Sequence, residues 1–217
     1  MQLTVNQLVV GSIPACGAIF WAVSDNGSTL ALHVRGKSSI LLRSTKDKMK
    51  NYYCLEHFPD LSSRYIKEGL SAQYKLNISP NDYRAGTMFN SSNFIKSLKE
   101  RIGDVSALWI KNPPNSLYDW HIDKNVRQCS INFPINETGG RAFYRSKLYD
   151  DVDNKSLYYT LDEVRYILYK PTILNVKREH CVMNTSSQER IILSLCVKES
   201  SYEETVAALK DFEISEY

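Results

Sequence analysis

Between Val105 and Val197 the chain never settles into one long periodic stretch, but breaks into short apolar runs cut by turn residues. Val105–Lys111 ends at Pro113-Pro114-Asn115, a segment around Trp120–Asp123 follows, and Arg127–Phe133 is closed by Pro134. Asn136 to Gly140 makes a turn, Arg141–Arg145 a short strand, and strands return at 172–176, 180–183 and 189–197. Such runs, bounded by Gly, Pro and Asn, are strand patterning. Many short strands must close or sandwich to protect their edges, and this spacing fits a jelly roll, the double-stranded β-helix.

Helical signals flank this region. Asp60 can cap a helix carrying Leu61, Tyr65 and Ile66, with Gly69 as its stop. A second helix over 92–102 places Phe94, Ile95, Leu98 and Ile102 on one side before Gly103. Residues 71–90 are polar and suit a surface loop, and 146–159 reads as an irregular insertion. Thr160-x-x-Glu163 is a capping box that opens a helix closed before Pro171, and Ser201-x-x-Glu204 opens the last, bearing Val206, Leu209 and Phe212. Upstream, Leu8–Val23 reads as a strand pair or loop, and Leu30–Val34 and Ser39–Arg43 as strands around Gly36. The expected architecture is therefore mainly β with flanking helices (α+β). It forms one domain over 1–217, with N-terminal strands and supporting helices in 1–104, a cupin-like core in 105–198 and a C-terminal helix in 199–217.

Within that core, Trp120-His121-Ile122-Asp123 carries chemistry. Alternate side chains of a strand share a face, so His121 and Asp123 can converge on one point. His180 follows the third run, and Arg190 opens the apolar run Ile191–Val197. Two histidines and one carboxylate are the facial ligand set of non-haem Fe(II) sites, and they also suit zinc. Three functions stay open: an oxygenase, a cupin-type divalent-metal hydrolase or isomerase, and a non-catalytic β-domain used for binding. Arg190 discriminates among them, since a hydrolase has no need of it.

His-x-Asp, a distant His and then a strand Arg resemble the pattern of the Fe(II)/2-oxoglutarate-dependent oxygenases, prolyl-hydroxylase-like members of the double-stranded β-helix superfamily, over residues 105–198. The resemblance implies that same fold. It also implies Fe(II) held by His121, Asp123 and His180, with Arg190 pairing the 5-carboxylate of 2-oxoglutarate as a planar, permanently charged donor. Oxygen and 2-oxoglutarate are then consumed, releasing succinate and CO2 as a substrate C–H is hydroxylated. The retained carboxylate at Asp123 disfavours halogenation. Ser194 shares the strand face of Arg190 and could add a hydroxyl, although the family pattern puts that group where Ile192 stands. Asn132 is parity-matched with Ser130, and one of the two could reach the cosubstrate or support a metal ligand, or else satisfy a buried backbone group. Tyr118 is a core or site residue, and Tyr83, Arg84, Tyr118, Lys124 and Arg141 are candidate substrate contacts.

Composition excludes little but bounds the partners. With 217 residues and 43% apolar content the chain can bury one good core. A net charge of +3 is too balanced to point to nucleic acid. Leu8–Val23 is too short and broken for a membrane span and has no basic start. Five scattered cysteines with no Cys-x-x-Cys pair suit a reducing, cytoplasmic setting and five free thiols. The expected substrate is a small molecule or peptide.

Overall fold

A computed structural model describes residues 50–77, 81–124, 126–137, 140–151 and 156–212, with four strand segments further upstream; for those segments and for 146–151 and 156–160 it describes the backbone alone. The chain divides into two compact units, 1–49 with 145–162, and 50–144 with 163–217.

In the first unit β1 (Leu8–Val9), β2 (Ile19–Val23), β3 (Leu30–Val34) and β4 (Ser38–Ser39) form an antiparallel sheet in chain order. The β2–β3 hairpin pairs Ile19 with Val34 and Val23 with Leu30. The strand expected at Ser39–Arg43 is described only at Ser38–Ser39; residues 40–43 lie outside the described residues.

The second unit opens with β5 (Tyr52–Cys54), α1 (Ser63–Ser71), β6 (Lys75–Leu76), β7 (Tyr83–Ala85), a 3-10 turn at Met88–Ser91 and α2 (Asn93–Ile102). Eight strands follow, of which β11 beyond Tyr144 and β12 up to Asp162 belong to the first unit: β8 (Val105–Asn112), β9 (Ser116–His121), β10 (Cys129–Pro134), β11 (Gly140–Asp151), β12 (Ser156–Glu163), β13 (Thr172–Leu174), β14 (His180–Asn184) and β15 (Arg190–Val197). The last helix is α3 (Tyr202–Leu209). One sheet runs β5-β13-β10-β15-β8-β7-β6 and the other β12-β11-β14-β9. Counting β8 as first and β15 as eighth, the larger sheet contains sixth, third, eighth, first, and the smaller reads fifth, fourth, seventh, second. That interleaving of two Greek keys is the jelly roll. Among the described residues the fold is mainly β with three flanking α-helices, as the strand patterning predicts.

The strand β15 shows why the two faces differ. Ile191, Leu193, Leu195 and Val197 join Trp109, Ile131 and Phe133 in a core packed under the helices. On the opposite parity Arg190, Ile192, Ser194 and Cys196 line a cavity. A strand buried on both faces thus carries polar groups on one of them only.

Four expectations need correction. Residues 160–170 are not a helix: the end of β12 reaches Glu163 and a turn follows. Tyr158-Tyr159-Thr160 prefer an extended backbone, and pairing with β11 lets Val164 N–H donate to the Ala142 carbonyl at 2.9 Å. The 146–159 insertion is mostly the two strands of that hairpin. Residues 71–90 hold β6 and β7, which extend the larger sheet. Gly69 lies inside α1 rather than ending it, and Ser62, not Asp60, precedes the helix. A Cβ on Gly69 would stand 2.6 Å from Ile135 Cδ1 and 2.8 Å from Trp109 Cζ3, so this glycine allows the helix to press against the sheet.

Candidate metal centre

Adjacent strands place the two histidines. In the β9–β14 pair His121 sits directly opposite His180, and the ring centroids lie 4.2 Å apart. Each imidazole makes the same local contact two residues back, His121 Nδ1 with the Asp119 carbonyl at 2.6 Å and His180 Nδ1 with the Arg178 carbonyl at 2.8 Å. A carbonyl can only accept, so both Nδ1 atoms carry the proton and both Nε2 lone pairs are left for a metal.

Asp123 lies just past the end of β9, so strand alternation is not what brings it to His121. Its N–H donates to the Val176 carbonyl at 3.0 Å, and Lys177 Nζ donates to its carbonyl at 3.2 Å. These bonds hold the turn so that Oδ1 comes 3.5 Å from His121 Nε2. The ligand atoms of His121, Asp123 and His180 all lie within 4.8 Å of one another, the one such cluster among the described residues. Burial, then the neighbouring His121, hold the His180 imidazole down to about 4, so it is neutral at physiological pH.

Sequence reasoning missed Arg127. Its Nη1 donates to Asp123 Oδ2 at 3.2 Å, and its Nη2 donates to Ser130 Oγ at 3.0 Å and to Ser194 Oγ at 2.6 Å. Ser130 in turn donates to Asn132 Oδ1 at 2.7 Å. Ser194 and Asn132, two sequence candidates, therefore face the cavity as parts of the Arg127 network. The signal was the polar parity of Ser130, Asn132 and Ser194 on two paired strands, which implies a polar partner.

Arg190 is the first residue of β15 and is 4% exposed. Its Nη1 donates to Asn112 Oδ1 at 3.0 Å, the guanidinium lies over the Tyr166 ring at 5.3 Å, and Nη2 is buried with no hydrogen-bond partner. No carboxylate among the described residues forms an ion pair with it. A Cβ on Gly140 would collide with Arg190 Cδ, so the glycine at the start of β11 makes room for this side chain. A buried cation without a counter-ion is costly, and it leaves this arginine suited to an anionic ligand.

These groups share one cavity of about 570 Å³, lined by all three cluster residues, Arg190, Ser194, Asn132 and Tyr118. The Tyr118 ring lies 4.1 Å from that of His121, and burial pushes its phenol up. Of the other candidates, Arg84 and Lys124 line the cavity. Tyr83 and Arg141 do not; Arg141 pairs instead with Glu163 at 3.5 Å. Tyr144, which sequence reasoning also missed, lines the cavity beside His180, with centroids 5.8 Å apart. Burial holds its phenol far up and keeps it a neutral donor.

The fold and site define a class: a jelly roll with a two-histidine, one-carboxylate cluster at one cavity. No family model and no curated protein matches the sequence. Among solved structures the chain is similar to a prolyl-4-hydroxylase from Pseudomonas putida, at 14% identity over 70% of this chain and 94% of that one, with a TM-score of 0.48. It is similar to an oxidoreductase of the 2OG-Fe(II) oxygenase family from Burkholderia pseudomallei, at 8% identity over 70% and 87%, with a TM-score of 0.44. It is also similar to EvdO2 from Micromonospora carbonacea, solved with 2-oxoglutarate, at 11% identity over 69% and 86%, with a TM-score of 0.44.

Proposed function

We propose that this chain is an Fe(II)- and 2-oxoglutarate-dependent oxygenase that hydroxylates an unactivated C–H of an amino acid, peptide or related small molecule. The observation that carries this reading is the pairing of the ligand cluster with Arg190, a buried cation in the same cavity that forms no ion pair with a carboxylate among the described residues. Two imidazoles and one carboxylate suit Fe(II), and an arginine with an unpartnered Nη2 suits the far carboxylate of a dicarboxylic acid. His121 Nε2, Asp123 and His180 Nε2 would hold the iron.

When bound, iron and 2-oxoglutarate supply oxygen activation coupled to oxidative decarboxylation, with succinate and CO2 released. The protein's residues position and tune. Arg127 engages Asp123 Oδ2, which leaves Oδ1 as the ligating oxygen beside His121. Burial keeps His180 deprotonated, and Tyr118 covers one side of His121. In this reading the catalytic core is 105–198 and 1–217 acts as one oxygenase domain. We place the chain in a reducing compartment such as the cytoplasm, which its scattered cysteines without a Cys-x-x-Cys pair suit; Cys16 lies outside the described residues. Among the described residues no helix is long and apolar enough to cross a membrane.

The test is anaerobic metal binding. The parent should take up Fe(II) at one site per chain, and Asp123→Ala should lose most of that affinity. An alanine variant that binds Fe(II) as tightly as the parent would show the ligand set to be wrong.

A further inference from the structure

The charged groups of the cavity do not balance. Its lining carries Arg84, Lys124, Arg127 and Arg190 against Asp82 and Asp123, a surplus of two positive charges with the histidines neutral. A divalent metal and the dianion of 2-oxoglutarate cancel each other and leave that surplus untouched. Unmatched charge in a partly water-excluded space is costly, so the remaining occupant is favoured if it is anionic. Both Nη atoms of Arg127 are engaged by Asp123 and two serines, and Arg190 answers to the cosubstrate in the reading above. Lys124 is left, together with Arg84, whose Nε and Nη2 alone are engaged, by Asp82.

Arg84 is held in place by an unusual partner. Its Nε and Nη2 both donate to Asp82 Oδ2, at 3.1 and 2.8 Å. Asp82 is 4% exposed while the Arg84 side chain is 41% exposed. Asp82 Oδ1 is buried with no hydrogen-bond partner. A surface ion pair contributes little to stability, and burying one member with an orphaned oxygen costs more than it returns. Such costs concentrate at sites that bind something. With one edge tied to Asp82, the guanidinium keeps the Nη1 donors free for a second acceptor, and a carboxylate matches the planar fork. Ile122 and Val126 line the same cavity and are exposed, which gives an apolar body a place to rest.

We infer that Arg84, fixed by Asp82 and supported by Lys124, binds a carboxylate of the substrate itself. The substrate class is then a small apolar-bodied molecule or peptide end with a free carboxylate, rather than a neutral or cationic one. The inference rests on the oxygenase reading of the site.

The test uses the full chain, anaerobic, loaded with Fe(II) and saturating 2-oxoglutarate so that Arg190 is occupied. Calorimetric titration compares N-acetyl-leucine, N-acetyl-phenylalanine and hexanoate with their primary amides, which keep the shape and lose the charge. At least one carboxylate should bind about tenfold or more tighter than its amide. Arg84→Met should bring that ratio close to one, and Arg84→Lys, which keeps the charge without the fork, should fall between. If the Met variant unfolds, the Lys variant decides: a preference unchanged from the parent overturns the assignment. So does a parent that takes up 2-oxoglutarate yet binds no carboxylate of the set at millimolar concentration, or binds acids and amides alike. A parent that fails to take up 2-oxoglutarate at all instead refutes the oxygenase reading.

Discussion

His180 shows what burial does to one side chain. Its imidazole is held down to about 4, first by desolvation and then by His121, against an ordinary value of 6.5. Below 6.5 the unfolded chain binds this proton more readily than the metal-free native state, so stability falls as pH drops from 6.5 toward 4 and is intact above that window. We expect denaturant unfolding of metal-free protein to lose on the order of 1 kcal/mol per pH unit across this window, and His180→Gln to flatten the slope. An equal slope in the variant would assign the loss to other groups. At this scale the placement of residues was the most legible part of the sequence: His121, Asp123, His180 and Arg190 line one cavity. Arg127 was not legible, because its role depends on which serines face it across the sheet, at positions as distant as Ser194.

At the scale of elements, local signals succeeded where they formed closed hydrogen-bond sets. Ser201 and Glu204 make the full capping box of α3, the Ser201 hydroxyl accepting from Glu204 N–H at 3.2 Å and Glu204 Oε2 accepting from Ser201 N–H at 2.8 Å. Removing that cap with Ser201→Ala should cost about 0.5–2 kcal/mol. The loss should appear as a lower denaturation midpoint with an unchanged slope, and an unaltered midpoint would mean that tertiary packing of Tyr202, Thr205 and Leu209 alone sets the helix start. The identical motif at Thr160-x-x-Glu163 misled, since a capping box acts only where the chain is free to turn. There the chain pairs with β11, and Glu163 meets Arg141 instead. Gly69 misled for a related reason, as its lack of a side chain serves packing against Trp109 rather than helix termination.

For the molecule as a whole, strand count and spacing were enough to foresee a jelly roll, but not its edges. The short strands β6 and β7 carry too few residues to show a period, yet β7 brings Arg84 to the cavity. We propose that the polar face of β15 and the loop and strand ends around His121 form one site for a metal and a dicarboxylate. Its most direct test is anaerobic titration of 2-oxoglutarate into Fe(II)-loaded parent and Arg190→Met, followed by the weak visible charge-transfer band. Removing one partner of a buried charge pair costs about 2–5 kcal/mol. The Met variant should therefore retain Fe(II) yet need about thirty-fold or more additional 2-oxoglutarate to reach half of the band. Equal 2-oxoglutarate affinity in the two proteins, or a parent that never develops the band, would rule out a dicarboxylate held by Arg190.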